Sequence, residues 1–395
     1  MILKSITLKN FRCYNDITVE LDPKMTVLVA NNGQGKTALL ESIRIALWPY
    51  ISSFDLARTL YADPSNTITV NDTLLLQTDN AMARQLPSEI ECTGDYGVGI
   101  TKWKRCRDSE APRSQTKDDL STKAMKKFGI ELQRKIRNVE ADPLDLPIFG
   151  YYGTGRLWKE KRLTKKKRGA VSYRKGEENI RTFAYRDCLD PASSYKQFEE
   201  WFISSFKKIR ESQIIQLEAG VESIENDPSI SNPVTVIQNA VNILLKGTGW
   251  QNLSYSEIHD KSLVLKHPEK GTLKVDQLSD GIKNMLAMIA DIAYRCALLN
   301  SHKGVDSALK SQGFVMIDEV DMHLHPQWQQ TVVHGLNQAF PHIQFIVTTH
   351  SPQVLSTIDS QCIRILNEGK VYKAPKATNT KKGDRHENFF MQGWV

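Results

Sequence analysis

Lys36 and Thr37 follow Gly33-Gln34-Gly35, between the apolar run Met25–Val29 and the apolar stretch 38–47. That order reads as strand, glycine-rich loop and helix. Backbone N–H groups of such a loop, with the positive end of the helix, hold a di- or triphosphate. Lys36 would reach the β- and γ-phosphates, and the Thr37 hydroxyl would hold Mg²⁺. Relative to the spacing GxxxxGK[ST], Ala30 stands where the first glycine is usual. Alanine is small and adopts a strand conformation easily, so the departure is mild.

Three more elements follow. Phe314-Val315-Met316-Ile317 ends in Asp318-Glu319, a buried strand tipped by two carboxylates. Asp318 is placed to hold Mg²⁺ through water, and Glu319 to polarise an attacking water as general base. Leu278-Ser279-Asp280-Gly281 opens a helix over 282–299. A serine hydroxyl, a glycine backbone and a helix N-terminus form a second anion site. One γ-phosphate site already exists in the chain, so this one suits a nucleotide held by another subunit. His350 follows the apolar strand Phe345-Ile346-Val347, where it can hydrogen-bond the γ-phosphate or the water. His323 and His325 form an HxH pair without a third ligand. A loop packed against a neighbouring subunit is favoured over a metal site.

The elements that carry these residues are those of a layered α/β protein. Residues 1–48 read as three strands, the loop and its helix. Stretches 67–70 and 98–103 alternate like short strands, and 116–140 is a polar, basic helix. Ile148–Tyr152, bounded by Pro147 and Gly153, reads as a buried strand. Two helices, 194–224 and 235–246, are expected to break at Asn226-Asp227-Pro228 and Asn232-Pro233. Residues 253–275 alternate, with a turn around 267–271, and helices alternate with strands from 276 to 358. Between them, 159–175 is a Lys/Arg-rich loop, including Lys165, Lys166, Lys167 and Arg168. It reads either as a solvated loop or as a surface for nucleic acid or a partner, with salt-dependent, sequence-independent binding. The tail after Lys373 is polar.

With 395 residues, two or three domains are expected. Charged residues at 25% and hydrophobic ones at 40% argue against a disordered or membrane-embedded chain. No apolar run reaches the roughly 18–20 residues of a membrane helix, and the start carries no leader pattern. Six scattered cysteines without CxxC pairs suit reduced thiols in the cytoplasm. A net charge of +7 permits nucleic-acid contact without requiring it.

The four elements, in their chain order of Gly33–Thr37, Leu278–Gly281, Phe314–Glu319 and Thr348–Ser351, resemble the ABC-type ATPase heads of the RecF, Rad50 and SMC class. Thr348-Thr349-His350-Ser351-Pro352, Asp318-Glu319-Val320-Asp321, Leu324-His325-Pro326 and Tyr151-Tyr152-Gly153-Thr154-Gly155-Arg156 look most like the ATPase subunit of the Septu anti-phage system and the OLD-family ATPase domain. The resemblance covers about residues 1–50, 146–160 and 253–373. It implies an α/β fold: an ABC-ATPase head with a mostly parallel core sheet, an antiparallel β subdomain and an inserted helical lobe. The halves of the head would be 1–158 and 251–373, with the basic loop and helical insert over 159–250 and a tail at 374–395. Two heads would pair head to tail around ATP and Mg²⁺. Asn32, Gly33, Gln34, Gly35, Lys36 and Thr37 of one copy would face Ser279 and Gly281 of the other. Arg12, in Asn10-Phe11-Arg12, matches an early Phe-Arg element and would touch nucleotide. The glutamine usual after a strand such as Ile148–Tyr152 is missing, with Thr154 or Arg156 as substitutes.

The region 194–246 has no sustained heptads, unlike the long coiled coils of SMC proteins. The stretch after Ile358 is too short for the nuclease domain of OLD proteins. The first expectation is therefore an ATPase that regulates a partner nuclease in bacterial defence. A RecF-like, DNA-binding repair ATPase and an ATP-binding scaffold with little hydrolysis are the alternatives.

Overall fold

The computed structural model describes residues 1–58, 63–78, 80–97, 99–111, 113–138, 140–156, 176–191, 195–220 and 226–375. The basic segment 159–175 and the tail from 376 onward lie outside the described residues. The chain divides into two compact units. One comprises Met1–Asp142, Gly313–Val320 and Gln344–Val395, and the other Pro143–Gln312 and Asp321–Ile343.

The first unit carries two large sheets and the two-stranded pair Leu75–Thr78 and Ala81–Arg84. In its core sheet, Met25–Val29 lies between Ile343–Thr348 and Ile363–Asn367, parallel to both, with Val27 opposite Val347 and Ile363. Gly313–Ile317 lies beyond Ile343–Thr348, and Lys370–Lys373 closes the other side as an antiparallel edge. Strands covered on both faces read as continuous apolar runs, and MTVLV and GFVMI do. Gln344 is the exception in IQFIVT. Its buried amide donates to the carbonyls of Leu3 and Asp22, both at 2.8 Å, and accepts from the Leu3 N–H at 2.9 Å. It fastens the first strand, Ile2–Phe11, to the core sheet.

That first strand belongs to an antiparallel sheet ordered Tyr14–Glu20, Ile2–Phe11, Ser88–Asp95, Lys102–Arg107 and Lys117–Asp118. The strands alternate inward and outward, so Ile6 and Leu8 meet Val19 and Ile17 on one side and Cys92 and Ile90 on the other. Lys36–Ile51 packs against the sheet, where Trp103 is fully buried and its indole N–H donates to Ala46 O at 3.2 Å. The basic helix spans Leu120–Ile136, shorter than 116–140, because Lys117–Asp118 joins the sheet and Asp119 caps the Thr122 N–H at 2.7 Å. Residues 67–70 are not a strand: Val70–Asp72 is a 3-10 turn held by a Thr69–Asp72 capping box.

In the second unit, Tyr195–Glu218, Pro228–Leu245, Asp280–Leu299 and Pro326–Ala339 are the main helices. Pro228–Leu245 is unbroken, although Asn232-Pro233 reads as a stop. Asp227 caps Ser229 at 2.8 Å and Pro228 takes the first helical position, which needs no donor. Pro233 costs only the bond to the carbonyl of Ser229, near the helix start. Leu244 then packs on the bare backbone of Gly335, where a Cβ would meet it at 2.7 Å. The alternating stretch forms three strands, Gln251–Ser256, Ser262–His267 and Gly271–Lys274. Ile148–Tyr152 is wholly buried. The Tyr152 hydroxyl donates to Asp291 Oδ2 at 2.7 Å, and Arg295 pairs with the same oxygen at 2.8 Å. These buried charges join the strand to helix Asp280–Leu299. Among the described residues, no helix is long and apolar enough to cross a membrane.

Candidate nucleotide-binding site

The loop after Met25–Val29 needs glycine for two different reasons. Gly33 has φ 82° and Gly35 φ 89°, in the left-handed region. Gly35 also lacks room, because a Cβ there would lie 2.4 Å from the Tyr14 hydroxyl and 2.6 Å from Cys13 Sγ. Tyr14 donates to Gln34 O at 3.1 Å, and Gln34 Oε1 accepts from Glu368 N at 2.9 Å. The loop is thus held from two sides, while Asn32 and Gly33 are exposed at its tip. Ala30 is absent from the positive-φ positions, so alanine fits there without backbone strain.

Lys36 is buried and donates to Ala30 O at 2.7 Å and Asn31 O at 3.3 Å. Burial pulls its pKa down, and nearby Asp318 and Glu319 offset part of that. The Thr37 hydroxyl donates to Asp318 Oδ2 at 2.9 Å. Asp318 is 3% exposed, and its Oδ1 accepts from the Thr348 hydroxyl at 2.6 Å. Glu319 has φ 50°, uncommon for a residue with a side chain, and its N–H donates to Thr348 Oγ1 at 2.8 Å. His350 is exposed at the end of the same strand, and Ser351 caps the next short helix. The fold therefore gathers Lys36, Thr37, Asp318 and Glu319 in one unit. A hydroxyl beside a carboxylate at the mouth of a phosphate loop offers the hard oxygen ligands that suit Mg²⁺.

Arg12 is engaged elsewhere. It ion-pairs with Glu41 and, at 2.8 Å, with Asp72. Burial alone would lower its pKa, but the two carboxylates outweigh burial and leave it raised. The element expected to touch nucleotide is thus a cation already matched by two acids.

Ser279 and Gly281 lie in the second unit. Ser279 is the N-cap of Asp280–Leu299, which starts two residues before the expected 282, and its side chain makes no capping hydrogen bond. A Cβ on Gly281 would come within 2.4 Å of His323 O, so the helix start presses on the His323 backbone. His325 is a helix cap: its Nδ1 accepts from Gln327 N at 3.4 Å. Thr154–Arg156, at the position of the missing glutamine, is one 3-10 turn.

Sequence reasoning missed roles for Thr348 and Tyr14. Thr348 was visible as the residue ahead of Thr349-His350. Its partner Asp318 lies 30 positions earlier, on a neighbouring strand.

Residues 5–228 match the family described as AAA domain, and residues 156–355 match the AAA ATPase domain. The chain belongs to these AAA ATPase families, and it is an ATPase. It is similar to the retron Vc95 probable ATPase of Vibrio cholerae serotype O1 biovar El Tor, at 25% identity over 93% of this chain and 73% of that protein. Against the retron Ec83 probable ATPase of Escherichia coli it is 55% identical over 105 residues, 27% of this chain. Against the Septu protein PtuA of Bacillus mycoides (strain KBAB4) it is 38% identical over 120 residues, 30% of this chain. These last two matches span only 19% and 16% of the relatives' own lengths.

Proposed function

We propose that two copies of this chain hydrolyse ATP between them, head to tail, and use the cycle to control a separate nuclease in bacterial anti-phage defence. The observation that carries the pairing is Ser279, an N-cap whose hydroxyl makes no capping bond at the start of a 20-residue helix. A hydroxyl and helix N-terminus so placed suit the γ-phosphate held by the Asn32–Thr37 loop of a second copy. The defence role is supported by likeness to retron ATPases and a Septu protein.

In this reading, Gly33, Gln34 and Gly35 supply backbone N–H groups to the phosphates. Lys36 exchanges the Ala30 and Asn31 carbonyls for phosphate oxygens. Thr37 and Asp318 would hold Mg²⁺, which would neutralise charge on the triphosphate. Glu319 takes the proton of the attacking water, and His350 hydrogen-bonds the γ-phosphate. The chain works in the cytoplasm.

Light scattering with and without ATP tests the pairing, on wild type and on Glu319→Gln. The variant is expected to double in mass with ATP and keep less than about 1% of turnover. Constant mass in both proteins rejects the pairing. Wild-type turnover in the variant rejects Glu319 as the base. Co-expression with the neighbouring gene product tests the nuclease partner, and no co-purifying nuclease counts against it.

A further inference from the structure

Three successive residues after strand Gly313–Ile317 are tied to one buried threonine. The Thr348 hydroxyl gives its proton to Asp318 Oδ1 at 2.6 Å and accepts the Glu319 N–H at 2.8 Å. Its carbonyl accepts the Val320 N–H at 3.0 Å. The other oxygen of Asp318 is taken by Thr37 at 2.9 Å. Thr348 itself has no exposed surface.

We infer that Thr348 is a positioning residue for hydrolysis, one that orients the Asp318 carboxylate and holds Glu319 in its left-handed backbone conformation. The inference rests on the reading of Glu319 as the base. A carboxylate turns easily about its last torsion, and a hydroxyl on each oxygen fixes that turn. Glu319, at φ 50°, aims its side chain along a direction that a relaxed, negative φ would change. A misplacement of about 1 Å in such a group can cost 100-fold in rate. Threonine suits the post, because its branched Cβ belongs at a strand end and its hydroxyl donates and accepts at once. Thr348 touches neither phosphate nor water in this role. It acts through Asp318 and Glu319.

The test compares Thr348→Val, which keeps the shape and removes the hydroxyl, with Thr348→Ser, which keeps the hydroxyl. For each, kcat and the ATP dissociation constant are measured, with Glu319→Gln alongside. Thr348→Val is expected to lose about 10- to 100-fold in kcat while ATP affinity stays within about threefold. Thr348→Ser is expected to keep kcat within about threefold. If Thr348→Val does not fold, Thr348→Ala is read by the same split. Wild-type kcat in Thr348→Val, beside an inactive Glu319→Gln, overturns the inference and leaves the base in place. Equal losses in the valine and serine variants overturn it too, since packing alone then accounts for the residue. So does a loss of ATP affinity that matches the loss of kcat. Wild-type turnover in Glu319→Gln removes the base assignment and the inference together.

Discussion

Around Lys36 the polar groups engage one another. Lys36 holds two loop carbonyls, and Thr37 and Thr348 share the oxygens of Asp318. Around Ser279 two side chains do not, although Asp280 lies 3.6 Å from Lys283 Nζ. The Ser279 hydroxyl caps nothing, and five residues on, both amide atoms of buried Asn284 lack a hydrogen-bond partner among the described residues. Such a group costs about 1–3 kcal/mol when buried. In the function proposed above, the first region holds the nucleotide of its own copy and the second is completed by that of another copy.

Lys36 carries the largest expected effect. Lys36→Ala should weaken ATP binding by on the order of 100-fold, read by calorimetry, because the triphosphate loses its main cation. Affinity within a few-fold of wild type would mean that the first region does not depend on it. Gly281→Ala should act differently. Its methyl meets a backbone carbonyl that cannot turn aside, at a cost of about 1–3 kcal/mol. ATP-driven pairing should vanish in light scattering, while ATP affinity of single copies persists. Equal damage to both would dissolve the distinction between the regions. Ser279→Ala sharpens it. Losing a working N-cap costs about 1 kcal/mol, but no cap bond is made here. Thermal stability should therefore hold within about 1 °C while pairing weakens about tenfold. A clear drop in melting temperature without a pairing defect would return Ser279 to a structural role. The smallest effect is expected at Asn284→Leu, which fills the same space without orphaned atoms. Its melting temperature should rise by about 2–4 °C in scanning fluorimetry. A fall would show that the amide has a partner after all.

Local signals were legible and distant ones were not. Met25–Val29, the loop and Lys36–Ile51 stand in the sequence as a run, a glycine pair and a second run. Ile148–Tyr152 and Gly313–Ile317 are equally plain, because strands buried along their whole length spell out their burial. Pro233 misled, since the helix started early enough to absorb it. Arg12 was read from its neighbours alone, yet its partner Asp72 lies 60 positions away, and only the fold introduces them. Thr348 looked like any β-branched residue at a strand end. What separates it from that description is a carboxylate on another strand.

Gln344 sets a clock on the making of this protein. Leu3 leaves the ribosome 341 residues before its partner, and at about 5–20 residues per second that delay is roughly 20–70 s. Met25–Val29 waits as long for its neighbour Ile343–Thr348, an apolar strand with both edges open in the nascent chain. The loop that follows Met25–Val29 is translated long before the strands that flank it. A chain cut between residues 37 and 343 would carry its glycines and lysine intact and lack both strands that flank Met25–Val29.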